Sequence, residues 1–277
     1  MRVELEDVTL EVEDHGEGVP VMLLHGFPLS SEIWAPVRPA IEQTARLITP
    51  DLRGFGRSDK PRGPYALEVL AGDVIALADA LGLDRFVVGG HSMGGYVALR
   101  VAERLPSRLA GLVLVDTRAE SDTAEGRASR EASIRRIENE GPTGFLDDFV
   151  PNLVGPTTRD RAPRFLRDLR AIADEVPSHA LAGCLRGMAE RPDSGPLLRS
   201  LNVPALVLVG AEDTITPQEA AQAMAAALPQ AIVAVIPAAG HTPSVERPVA
   251  VADAMVAFLK ALARSAPSGT TRPAGQR

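Results

Sequence analysis

Short apolar runs rich in Val, Ile and Leu punctuate the chain, and each stops at a turn residue or a polar one. Residues 19–24 end at His25-Gly26, 47–49 at Pro50-Asp51, 86–88 at Gly89-Gly90, and 112–115 at Asp116. Residues 205–209 end at Gly210 and 232–236 at Pro237. Runs that are continuously apolar, rather than alternating, predict strands buried on both faces of a parallel sheet. Residues 3–5 and 9–12 predict two edge strands forming a hairpin. Between the runs, residues 67–81, 94–105, 217–228 and 249–263 carry helical periodicity, and the first three stop near Gly82, Pro106 and Pro229. Strand and helix in alternation predict an α/β fold: a doubly wound, mostly parallel sheet with right-handed crossovers.

The alternation fails from about residue 118 to about residue 200, where no strand pattern occurs. Residues 125–140 are charged and helical. Phe145, Phe149 and Leu153 share helical spacing, as do Phe165, Leu166 and Leu169. The stretch predicts a helical insertion (118–200) between two parts of a core (1–117 and 201–264). Ligands on open α/β sheets bind outside the carboxyl ends of the strands, where this insertion emerges. It is therefore expected to cap a pocket, with Phe145, Phe149, Leu153, Leu169 and Met188 as apolar lining. Residues 265–277 are rich in Pro, Gly, Ser and Thr and read as a disordered tail.

The strongest chemical signal is Gly90-His91-Ser92-Met93-Gly94-Gly95, placed between a strand and a helix. G-x-S-x-G in that setting forms a sharp turn that lifts a serine hydroxyl out of the sheet. A serine hydroxyl needs a base to take its proton, and the base needs a carboxylate to fix its tautomer. Of five histidines, His241 follows the last strand, in Gly240-His241-Thr242-Pro243. His25 ends a strand and reads as structural; His91 should point away from the pocket; His15 and His179 lack supporting context. Asp213 lies just past a strand, in Gly210-Ala211-Glu212-Asp213, and gives the chain order nucleophile, acid, base. Asp116 and Glu212 are its competitors. A tetrahedral intermediate needs two donors for its oxyanion. Met93 N–H, at the positive end of the following helix, is one, and Phe27 N–H, in His25-Gly26-Phe27-Pro28, is the expected second. Pro28 allows a cis bond there.

Composition narrows the picture without redirecting it. The 277 residues are 45% hydrophobic and 23% charged, close to an ordinary globular protein. A net charge of -7, with no basic stripe, argues against a nucleic-acid surface. No apolar run reaches the roughly 18 residues of a membrane span, and the acidic start is unlike a signal peptide. A lone cysteine, Cys184, excludes an intramolecular disulfide and suits a cytoplasmic protein. No His/Cys/Asp cluster has metal-ligand spacing, so neither metal nor organic cofactor is expected. The sequence carries no marker of oligomeric state.

Taken as a set, these motifs resemble the α/β-hydrolase superfamily. The set comprises His25-Gly26-Phe27-Pro28, Trp34, the 51–59 stretch Asp-Leu-Arg-Gly-Phe-Gly-Arg-Ser-Asp, the Ser92 elbow, Asp213 and Gly240-His241. The likeness is nearest the branch of carboxylesterases, 3-oxoadipate enol-lactonases, acyl-homoserine-lactone hydrolases and cofactor-free haloperoxidases. It implies an eight-stranded sheet, a helical cap, a structural role for 51–59, and Trp34 among the substrate-binding residues. It also implies cleavage of a small carboxylic ester or lactone through an acyl-enzyme on Ser92, with an acyl-homoserine lactone or enol-lactone as alternative main substrate. A haloperoxidase or perhydrolase and a ligand receptor on the same fold are the other readings. Relatives with aspartate at the elbow are set aside by Ser92. Thr242-Pro243 after the histidine, where carbon–carbon-bond hydrolases usually carry Trp, weakens that reading.

Overall fold

The computed structural model describes residues 1–265. Eight strands form one sheet: β1 (Arg2–Glu4), β2 (Thr9–His15), β3 (Pro20–Leu24), β4 (Arg46–Pro50), β5 (Phe86–His91), β6 (Leu109–Val115), β7 (Ala205–Gly210) and β8 (Ala231–Ile236). Their order is β1-β2-β4-β3-β5-β6-β7-β8. Every pairing from β4 to β8 is parallel, and β1 and β2 pair antiparallel. All six residues of β5 are buried, so both faces of the sheet are covered at its centre.

Two expectations change. β2 is no edge strand: it sits between β1 and β4. β8 is not buried on both faces. Among the described residues it pairs only with β7, and Ile232, Val233 and Val235 stay exposed at this edge of the sheet.

The core helices are α1 (Arg38–Ile41), α2 (Leu67–Ala80) and α3 (Met93–Arg104). Between β6 and β7 run α4 (Ala124–Glu140), α5 (Thr143–Phe149), a 3₁₀ turn at Val150–Leu153, α6 (Pro156–Arg161), α7 (Arg164–Asp174), α8 (Ser178–Ala189) and α9 (Gly195–Ser200). The chain ends in α10 (Gln218–Ala227), α11 (Pro243–Glu246) and α12 (Pro248–Ser265). α2 stops because Gly82 takes φ +65°, which lets Gly82 and Leu83 N–H cap the carbonyls of Asp79 and Ala78. Helix α12 takes in Ser265, the first residue of the predicted tail, and residues 266–277 lie outside the described residues.

The helical segment between β6 and β7 is tied to α3 at its root. Arg191, 3% exposed, donates to Asp122 Oδ1 at 2.6 Å and stacks 4.3 Å over the Tyr96 ring of α3. Arg100 of the same helix donates to Ser194 Oγ at 2.5 Å. Burial would raise the Asp122 carboxyl, but the guanidiniums of Arg130 and Arg191 outweigh it and hold it below the usual range. None of the described helices is long and apolar enough to cross a membrane.

Candidate active site

Ser92 joins β5 to α3 at φ +51°, ψ −114°, a region that costs a non-glycine residue about 1–3 kcal/mol. The surroundings hold it there. Ser92 N–H donates to the Val115 carbonyl at 2.9 Å, and Thr117 Oγ1 donates to the Ser92 carbonyl at 2.8 Å. A Cβ on Gly94 would lie 2.4 Å from the Leu24 carbonyl oxygen, and one on Gly90 2.2 Å from the Gly94 backbone. Only glycine lets β3, β5 and α3 meet this closely.

Two distant loops converge at the elbow. His241 Nε2 lies 2.9 Å from Ser92 Oγ, and His241 Nδ1 lies 2.8 Å from Asp213 Oδ2. Asp116, Asp213 and His241 bring carboxylate and imidazole atoms within 4.8 Å of one another. Asp213 accepts three further hydrogen bonds: Ile215 N–H at 2.8 Å, Thr216 N–H at 3.2 Å and Thr216 Oγ1 at 2.5 Å. Burial would raise this carboxyl, but its pairing with His241 and these donors hold it well below the usual carboxylate range. Glu212 turns away and accepts from Thr157 N–H at 2.9 Å and from Thr157 Oγ1. Asp116 is buried beside Asp213, with one oxygen bonded to Gly210 N–H at 2.8 Å.

The other histidines separate cleanly. His25 Nε2 accepts from Leu52 N–H at 3.0 Å while Nδ1 donates to Gly26 O, pinning the 25–28 loop to the 51–59 loop. That loop is built around Asp51, which accepts from Ser31 N–H at 2.8 Å and Arg57 N–H at 2.9 Å. His15 pairs with Glu13, and His179 with the Lys60 carbonyl. His91 packs its ring 4.8 Å from that of His241 and donates from Nε2 to the His241 carbonyl.

Burial, aided by the neighbouring His241 ring, pushes His91 down to about 3. An unfolded chain protonates it near its ordinary 6.5. Between those values the unfolded state binds a proton that the folded state refuses, so stability falls as pH drops through the window. His91→Gln is expected to flatten this slope. Urea midpoints at neutral pH and at about pH 4.5 should show the variant losing roughly 2–3 kcal/mol less than the parent. Equal losses would show that His91 carries no such load.

Phe27 and Pro28 are joined by a cis bond. Among the described residues, neither Phe27 N–H nor Met93 N–H donates to a protein acceptor. The predicted lining residues scatter. Phe145 and Phe149 reach the Phe27 ring, at centroid distances of 6.2 and 5.7 Å. Leu153 offers its carbonyl to Thr242 Oγ1 at 2.8 Å, beside His241. Trp34 is 1% exposed and lines a cavity of about 80 Å³ with Glu13, Ser31 and Arg38; Ser92, Asp213 and His241 are not part of that lining. Leu169 is buried in α7 and Met188 in α8, where its sulfur faces Arg130.

Sequence reasoning missed Thr216 and Glu246. An Asp followed three residues later by Thr in a turn is a local signature for side-chain bonding, and Thr216 fits it. Glu246 gives no such signal. Its buried carboxylate accepts from Gly240 N–H at 2.8 Å, Thr242 N–H at 3.2 Å and Gly155 N–H at 2.9 Å, joining the histidine loop to the helical insertion.

Comparison with known proteins agrees with this architecture. A family model for the alpha/beta hydrolase fold matches residues 19–248. The chain belongs to the α/β-hydrolase family. It is 40% identical to a thermophilic esterase from Thermogutta terrifontis solved with malate bound, with TM-score 0.90 over 95% of this chain and 99% of that one. It is 26% identical to the enol-lactonase from Burkholderia xenovorans LB400, TM-score 0.86, covering 94% and 100%. The 3-oxoadipate enol-lactonase 2 of Acinetobacter baylyi is also 26% identical, over 92% of this chain and 94% of its own length. The chain is thus a member of a hydrolase family with esterase and enol-lactonase relatives.

Proposed function

We propose that this α/β-hydrolase cleaves carboxylic esters or lactones through an acyl-enzyme on Ser92. One observation carries the reading: the unbroken relay from Ser92 Oγ through His241 to Asp213, at 2.9 and 2.8 Å. Ser92 Oγ attacks the substrate carbonyl while His241 Nε2 takes its proton. Asp213 holds Nδ1–H and stabilises the imidazolium without taking the proton itself. The idle N–H groups of Phe27 and Met93 receive the oxyanion. His241 then protonates the departing alcohol and activates water, whose hydroxide releases the acid and frees Ser92. No step asks for a metal or an organic cofactor.

The segment 118–200 serves as a cap in this reading. Phe145 and Phe149 stack on one another, with centroids 5.3 Å apart, and both meet Phe27. An aromatic wall beside an oxyanion donor suits the acyl or enol portion of a small apolar substrate. A panel of p-nitrophenyl esters and lactones of graded length, run with equal substrate concentrations, tests the assignment. Turnover of short esters with rapid labelling of Ser92 by a fluorophosphonate is expected. No hydrolysis of any ester or lactone, with Ser92 unlabelled, would reject it.

A further inference from the structure

Asp116 is a buried carboxyl with no task in the relay. It follows β6 with φ +43°, a left-handed conformation uncommon for anything but Gly, Asn and Asp. Its side chain is shut away from water at 1% exposure. Oδ1 accepts the Gly210 N–H at 2.8 Å, and Oδ2 has no partner. An oxygen of Asp116, an oxygen of Asp213 and a ring nitrogen of His241 all lie within 4.8 Å of one another.

Two ionised carboxylates this close in a dry site repel, and neither can donate to the other. One proton removes the repulsion and turns the orphaned acceptor into a donor. Asp213 is the poor host for that proton, since four donors already stabilise its charge. Asp116 receives only one N–H. Burial first, then the charges of Asp213 and Glu246, push the Asp116 carboxyl well above the usual range. Asp213, Glu246 and His241 are the titratable groups that face it.

We propose that Asp116 is a neutral carboxylic acid that donates its O–H to Asp213, and so acts as a positioning residue for the acid of the relay. The proposal rests on the esterase reading, because it assigns a role relative to a working Asp213–His241 pair. Asp116→Asn is its closest mimic: neutral, with an N–H to donate, an oxygen for Gly210, and tolerance of the left-handed backbone. Asp116→Gly keeps the backbone accessible and removes the donor.

The test uses the full-length protein and p-nitrophenyl acetate. Infrared difference spectra of parent minus Asp116→Asn at neutral pH should contain a protonated-carboxyl C=O stretch. Asp116→Asn should keep the acid limb of the kcat/KM profile in place. Asp116→Gly should lose roughly tenfold to a hundredfold in kcat with little change in KM, as misplacement of a catalytic group does. Its acid limb should move to higher pH, because an unsolvated Asp213 charge holds the imidazolium more tightly. Three results would overturn the proposal. One is absence of the infrared band. Another is an acid limb in Asp116→Asn displaced downward by about one unit or more, the mark of a lost negative charge beside His241. The third is parental kcat and pH profile in Asp116→Gly. Should Asp116→Gly not fold, the spectrum and Asp116→Asn still decide. The spectrum also reads the proton on Asp116 without any turnover, so it separates failure of this proposal from failure of the esterase reading.

Discussion

Ser92→Ala is expected to lower kcat/KM for p-nitrophenyl acetate by on the order of 10⁶, with the fold unchanged. The size follows from the proposed covalent step. Without Oγ, no other hydroxyl has been placed on His241 Nε2, and water would have to attack an acyl group that the site holds for a different nucleophile. Alanine fits the elbow no worse than serine, because the backbone of residue 92 is held by Val115 O, Thr117 Oγ1 and the glycines at 90 and 94 rather than by its own side chain. Circular dichroism and melting temperature should therefore match the parent within error. His241→Ala should cost a similar factor, and the double variant little more than either, because groups that act as one unit are not additive. Losses that instead multiply would show Ser92 and His241 acting independently, and a Ser92→Ala variant with parental turnover would remove Ser92 from the chemistry.

The legibility of this protein varies with the range of the interactions. β5 and α3 were readable because their signals are local: a continuous apolar run, a Gly-x-Ser-x-Gly turn and a helix ending before Pro106. Asp213 and His241 were readable as loop residues past strand ends, although their meeting at 2.8 Å depends on strand order, which spacing alone does not set. β8 misled because an apolar run looks the same whether the sheet continues beyond it or stops, and among the described residues it stops at Ile232 and Val235. Glu246 was invisible because its three N–H donors come from residues 155, 240 and 242, two of them neighbours and one 91 positions away. Trp34, Leu169 and Met188 were picked by residue type, a signal that a pocket wall and a core share. Large apolar residues are chosen by the core far more often than by a ligand, and these three are 1–3% exposed.

Asp213→Asn should lower kcat by about 10⁴, far more than loss of one hydrogen bond would suggest. Ile215 N–H and Thr216 N–H both point at Oδ1, so the amide oxygen of an asparagine must occupy that position. Its NH₂ then lies at the place of Oδ2, facing His241 Nδ1 and Thr216 Oγ1. A donor facing Nδ1 forces the imidazole proton onto Nε2. The ring would then present N–H to Ser92 Oγ, 2.9 Å away, and have no lone pair to take the serine proton. The side chain is nearly isosteric, so KM and melting temperature should change little while turnover collapses. Asp213→Ala, which lacks the misdirecting donor, should fall less steeply than Asp213→Asn. An Asp213→Asn variant within tenfold of the parent would mean that another group fixes the tautomer of His241, and the assignment of Asp213 would have to be withdrawn.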